Sequence, residues 1–141
     1  MDGSDLVNDG KLTEEEYITG YRNQILYINQ QIRKTVDQIL EKSESPPVIV
    51  LQGDHGPGSQ LNWESAAQSE IWERVSILNA YHLPSGGNED LYDSISPVNT
   101  FRIILNRFFG YQYELLEDRS YYSTKNHPYR FVPFSTPPDT Q

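Results

Sequence analysis

With 141 residues, 36% of them hydrophobic, and with two Trp and ten Tyr, the chain is long and apolar enough to fold around one core, so a single α/β unit is the starting expectation. A formal charge of −9 and a pI near 4.6 oppose the basic footprint that phosphate-backbone binding requires, which argues against nucleic acid as a partner. The absence of Cys excludes disulfides, thiolate metal sites and a Cys nucleophile, and leaves the compartment open.

In chain order, 1–12 reads as a flexible lead-in, because Asp, Gly, Ser and Asn mix there without a period. It has neither the basic start nor the apolar run of a signal peptide, and no segment reaches the roughly 18 apolar residues of a membrane span. As given, the chain is expected to be soluble and without an address. Order begins at Thr13. Thr13 and Glu16 match a capping box, and Leu12 and Tyr17 stand at the positions of a hydrophobic staple. From there Tyr17, Tyr21, Ile25, Ile28, Ile32, Val36 and Ile39 recur at three- and four-residue steps, predicting one long amphipathic helix over 14–42 that stops before Ser45-Pro46-Pro47. Gly20 inside it costs about 1 kcal/mol relative to Ala.

Val48-Ile49-Val50-Leu51 is a short, continuous apolar run, the pattern of a strand buried on both faces of a parallel sheet. Gln52-Gly53-Asp54-His55-Gly56-Pro57-Gly58 then forces a turn, so Asp54 and His55 belong to the loop beyond the carboxyl end of that strand, where open α/β sheets bind ligands. Residues 63–73 read either as a short helix or as a covering loop. A second strand is expected over Arg74 to Tyr81, closed by a turn at Pro84-Ser85-Gly86-Gly87-Asn88. Ser96 as N-cap, Pro97 in the first turn and Gly110 as stop delimit a helix over 97–109, with Val98, Phe101, Leu105 and Phe108 on one face. From Tyr111 onward turns are expected, with 123–141 as a covering tail whose end, from Ser135, is disordered. Ile32, Ile49, Phe101 and Leu105 are the expected core.

Asp54-His55 is the pair with suggestive chemistry: a carboxylate oxygen and an imidazole nitrogen, both good donors to a divalent metal, on a glycine-flanked loop. Taken alone, the same residues also make an ordinary turn, since a coordination sphere needs further ligands. Arg74 and Arg102 have the guanidinium fork that matches phosphate or sulfate oxygens, although a surface ion pair is the commoner role of such residues. The tyrosines at 111, 113, 121, 122 and 129 are expected to pack the tail over the sheet with their hydroxyls outward.

The order of long helix, Pro-Pro, apolar strand and Gln52-Gly53-Asp54-His55-Gly56 resembles the second metal-binding loop of the alkaline phosphatase and sulfatase superfamily. The similarity runs on through Glu73-Arg74-Val75-Ser76-Ile77-Leu78 and Ser96-Pro97-Val98-Asn99-Thr100-Phe101-Arg102, covering 17–122, and is nearest to membrane-associated bacterial proteins of sulfatase type. It implies a three-layer α/β/α partial sheet over 13–122, the carboxy-terminal portion of an alkaline-phosphatase-like fold. It also implies a metal-dependent phosphate- or sulfate-ester hydrolase or transferase, with Asp54 and His55 as ligands of zinc, manganese, magnesium or calcium. Arg74 and Arg102 would then meet the anionic ester.

The family's nucleophile and earlier Asp ligand have no counterpart here, so no catalytic residue is assigned and the chain by itself is expected to be inactive. They would come from a missing amino-terminal half of the same protein, membrane-anchored in bacteria if it follows these relatives. His82 and His127 are the only later histidines, and neither has the glycine-flanked setting of the family's further His ligand. A non-catalytic binding or assembly module that retains the fold is the alternative. Self-association through an exposed apolar face is expected in either case.

Overall fold

The computed structural model describes Val7 and residues 9–134; the expected disorder at 135–141 and most of the lead-in lie outside them. In order, the elements are helix α1 (Glu14–Lys42), strand β1 (Ile49–Gln52), helix α2 (Ile71–Val75), strand β2 (Asn79–His82), helix α3 (Pro97–Phe109) and strands β3 (Ser120–Thr124) and β4 (His127–Phe134). Short 3-10 turns lie at Ala66–Gln68 and Gly87–Asp90. The chain is thus mixed α/β, and no helix among the described residues is long and apolar enough to cross a membrane.

α1 starts where its cap dictates. Thr13 Oγ1 accepts from the Glu16 amide at 3.2 Å while a Glu16 carboxylate oxygen accepts from the Thr13 amide at 2.9 Å, satisfying two donors that a helix start leaves open. Those bonds from Thr13 hold the Glu16 carboxyl below the usual range. At the other end the Ser43 amide and hydroxyl both donate to the Ile39 carbonyl before the prolines. The apolar stripe is fully buried only at its start. Tyr17 is buried, and Tyr21, Ile32 and Val36 are half-buried, but Ile25, Ile28 and Ile39 face solvent, because only the first turns of α1 lie against the 57–60 loop.

β1 forms where the apolar run predicts, but not as a central parallel strand. It pairs antiparallel with β2, Ile49 opposite His82 and Gln52 opposite Asn79, in a sheet of two strands. The reason is local. The 53–78 segment leaves and re-enters at the same end of β1, and the Gly53 amide donates to the Leu78 carbonyl at 2.9 Å, so the chain turns back instead of crossing over to restart in parallel. Ile49 is accordingly half-buried and Val48 exposed. The strand expected over 74–81 is also shifted: Arg74 and Val75 end α2, and pairing begins only at Asn79.

α3 has the predicted ends, with Pro97 in its first turn and Gly110 left-handed at φ 72°, but the opposite face points inward. Phe101 is 60% exposed and Val98 is exposed, whereas Asn99, Thr100, Ile103 and Ile104 are buried and Leu105 half-buried. The buried Asn and Thr are viable because they are hydrogen-bonded. Asn99 treats the passing backbone like a strand neighbour: its amide nitrogen donates to the Leu116 carbonyl at 2.7 Å and its oxygen accepts from the Leu116 amide at 2.9 Å. Two turns on, Asn106 does the same with Tyr113, at 2.8 and 2.7 Å, and Arg102 donates to the Glu114 carbonyl between them at 3.0 Å. Residues 113–118 are thereby strapped along the helix.

The strap ends at Asp118, whose carboxylate accepts from the Ser96 amide at 2.8 Å, the Ser96 hydroxyl, the Tyr92 hydroxyl and the Asn99 amide. Ser96 therefore does not cap α3 with its own oxygen. Beyond it, where only a covering tail was expected, β3 and β4 make an antiparallel hairpin with Tyr122 opposite Val132. The hairpin is fastened by Tyr122 Oη on the Asn62 carbonyl at 2.9 Å and by Phe134 edge-on to Trp72 at 5.4 Å. Not all of the tyrosines pack as expected: Tyr129 is 89% exposed.

Burial alone would raise the Asp118 pKa, but the donors from Ser96, Tyr92 and Asn99 outweigh it and leave the carboxyl below the usual range. A depressed folded-state pKa contributes stability that is complete above the unfolded value, near 4, and is lost as pH falls through the folded value. Asp118→Asn should cost about 1 kcal/mol at neutral pH, and the gap to the unchanged protein should narrow as pH falls below about 4, the unfolded carboxyl value. Urea denaturation of both proteins across that range checks the amount and its sign.

Candidate functional site

The site is the turn beyond β1. Its backbone is pinned by Gly53 N–H on Leu78 and by Gly56 N–H on the Arg74 carbonyl at 2.7 Å, so the loop lies directly on the end of α2. Contact is close enough to require glycine: a Cβ at Gly56 would run into the carbonyl oxygens of Glu73 and Ser76.

Within this frame Asp54 points outward, with a side chain 90% exposed, while the His55 ring is 35% exposed. One Asp54 carboxylate oxygen accepts from the His55 amide at 3.0 Å. His55 Nδ1 lies 2.9 Å from the Gly56 carbonyl, which can only accept, so Nδ1 carries the proton. His55 Nε2 lies 3.5 Å from Asp54 Oδ2. Two donors bound to one tetrahedral ion at about 2.1 Å would stand roughly 3.4 Å apart, so this spacing suits a shared cation. The same carbonyl of Gly56 also accepts from Arg74 Nη1 at 3.0 Å, and the guanidinium lies over the Trp63 ring, 5.6 Å from its centre. Arg74 thus acts on the loop through Gly56. Arg102, placed by α3, bonds Glu114 and sits 5.8 Å over Tyr113.

Behind the loop, Gln52 donates to Asn79 Oδ1 and to Thr100 Oγ1, both at 3.1 Å, and Tyr81 Oη meets the same Thr100 oxygen at 2.7 Å. This network ties β1, β2 and α3 together under the site. Beside the loop runs a groove of about 610 Å³ between α1 and the 53–57 turn, with His55 and Glu73 among its walls. Glu73 accepts from the Ser59 hydroxyl and from the Gln60 amide at 3.1 Å, closing the turn from below. Neither the network nor Glu73 is legible in sequence spacing, because the partners are distant along the chain.

His82 pairs with Ile49, at the start of β1, so about 10 Å of strand separates it from the Asp54 end. His127 opens β4 opposite Thr124. Among the described residues no group of three or more His, Asp or Glu side chains gathers as a full metal-binding set. Comparison with protein-family models, curated proteins and solved structures returns no match.

The buried Tyr17 hydroxyl accepts from the Gly58 amide at 3.1 Å, joining α1 to the site loop. Tyr17→Phe should cost about 0.5–1.5 kcal/mol and Gly56→Ala about 1–3 kcal/mol, the second because the loop must lift off α2. Amide hydrogen exchange should place the loss of protection at residues 53–58 in both variants.

Proposed function

We propose that the chain is the carboxy-terminal portion of a metal-dependent phosphate- or sulfate-ester hydrolase or transferase, supplying two of the ligands of its metal. The supporting observation is the arrangement of His55, in which Nδ1–H on the Gly56 carbonyl fixes the tautomer and directs Nε2 toward the Asp54 carboxylate. The donor set fits a divalent cation as half of a coordination sphere, the remaining donors and the nucleophile coming from another segment. A three-layer sheet, in which further strands flank β1, is part of the same proposal, as is a membrane-anchored parent.

When bound, the cation would polarise a non-bridging oxygen of the ester and offset the acidity of this chain toward an anionic substrate. Asp54 and His55 would hold it. The Gly56 carbonyl keeps the imidazole in its ligand tautomer, and Arg74 holds that carbonyl in place, which favours a positioning role over direct contact with the ester. Arg102 would reach an ester only by leaving Glu114.

A non-catalytic binding or assembly module is the second reading. The engagement of both arginines with backbone carbonyls and aromatic rings favours it. Stoichiometric binding of a glycan or protein without metal would select it.

Titration with zinc or manganese should show binding well below the about 10–16 kcal/mol of complete four-ligand zinc sites, abolished by Asp54→Ala or His55→Ala. Arg74→Gln should weaken it about 10-fold, as loss of an outer-sphere support does. Binding that ignores both ligand substitutions would sink the assignment. Aryl phosphate and aryl sulfate should not be hydrolysed above background by this chain. Turnover with added metal that Asp54→Ala removes would instead mean that a complete site exists here.

A further inference from the structure

Isoleucine recurs at every seventh position of α1, as Ile18, Ile25, Ile32 and Ile39. On a helix these form one line, position a of a heptad, with Tyr21, Ile28, Thr35 and Lys42 at position d. The line is largely open: Ile18 is 37%, Ile25 42%, Ile28 46% and Ile39 38% exposed, while Ile32 is half-buried. The groove beside the 53–57 turn runs under its first half.

The spacing says what kind of element. Isoleucine at one heptad position through four turns of the repeat, joined by Tyr21 and Ile28 at d in its first half, is a surface matched by another helix. Its flanks are suited to the same helix from a second copy. Gln24, Gln31 and Gln38 border one side and Arg22, Asn29 and Val36 the other, so two copies meet with little like charge between them. Although the chain carries −9, α1 has five acidic and four basic side chains and is nearly neutral.

The polar members of the line decide the direction. A parallel pair would stack Thr35 on Thr35 and Lys42 on Lys42, and would bring together the first turns, each with Glu14, Glu15 and Glu16. Run antiparallel, with Ile28 level with Ile32, the layers become Tyr21 with Ile39, Ile25 with Thr35 and Ile18 with Lys42. Every layer then contains an isoleucine, and the helix dipoles oppose.

We propose that α1 pairs antiparallel with α1 of a second copy through the Ile18, Ile25, Ile32 and Ile39 line. The contact from Ile18 to Lys42 is about 36 Å long and one helix wide, at the small end of specific interfaces, so the dimer forms and separates with concentration. Metal plays no part in it, and the test below is independent of the Asp54-His55 reading.

Sedimentation velocity on the whole chain, metal-free and up to about 1 mM, should show a reversible monomer–dimer equilibrium. The double variant Ile25→Asn, Ile32→Asn should weaken it at least about 10-fold. Far-UV circular dichroism serves to confirm that the helix persists in that variant. Direction is read from thiols, which the natural chain lacks. Tyr21→Cys and Ile39→Cys should cross-link when mixed and not when either is oxidised alone. A monomer throughout, a dimer indifferent to the double variant in a helix that remains folded, or self-linking of either single variant would overturn the proposal.

Discussion

The Gly56 carbonyl oxygen is shared by the His55 imidazole and the Arg74 guanidinium, and the geometry of the Asp-His turn rests on it. That sharing is possible only because Gly56 has no side chain and lies against the carbonyls at the end of α2. With the amide of the same residue bonded to the Arg74 carbonyl, the turn is attached to α2 through both backbone polar groups of one residue. Tyr17 then attaches α1 to the next glycine of the turn, so the loop is a junction between two helices and not a free connection.

Away from that junction the fold is held largely by polar groups. Among the described residues the buried apolar side chains are few, Tyr17, Leu61, Leu83, Ile103 and Ile104, while Asn99 and Thr100 are fully enclosed. Asn99 and Asn106 bind the passing strap as a neighbouring strand would, and Asp118 gathers donors from Ser96, Tyr92 and Asn99 at its end. No buried side-chain nitrogen or oxygen among the described residues lacks a partner. Such a network is demanding, since each member is stable only while the others are in place. It places α3 and the strap behind the Gln52–Thr100 contact and so underneath the site.

Local signals were legible wherever a few adjacent residues carry the physics. Thr13 and Glu16 announce the start of α1, the prolines after Ser43 its end, and Pro97 and Gly110 the limits of α3, because caps and breakers act within one turn. The apolar run before Asp54 marked β1, and its glycines marked the turn. The inward face of α3 was misread because hydropathy scores Asn99 and Thr100 as surface residues. Whether a polar side chain can be enclosed depends on partners such as Leu116 and Tyr81, which adjacent sequence does not reveal.

The sequence by itself determined where α1 and α3 begin and end, where the first strand lies, and that Asp54 and His55 share a glycine-rich turn, since each follows from covalent neighbours, whereas α2 formed partly where a strand was expected. Only the tertiary structure decided that β1 runs antiparallel to β2, that Arg74 supports His55 through Gly56, that the chain after α3 becomes a strap and a hairpin, and that most of the α1 stripe stays open. Those outcomes depend on which distant groups meet. A pattern along the chain states that a face is apolar or a group polar, but the partner that covers or bonds it is chosen by the path of the backbone between them.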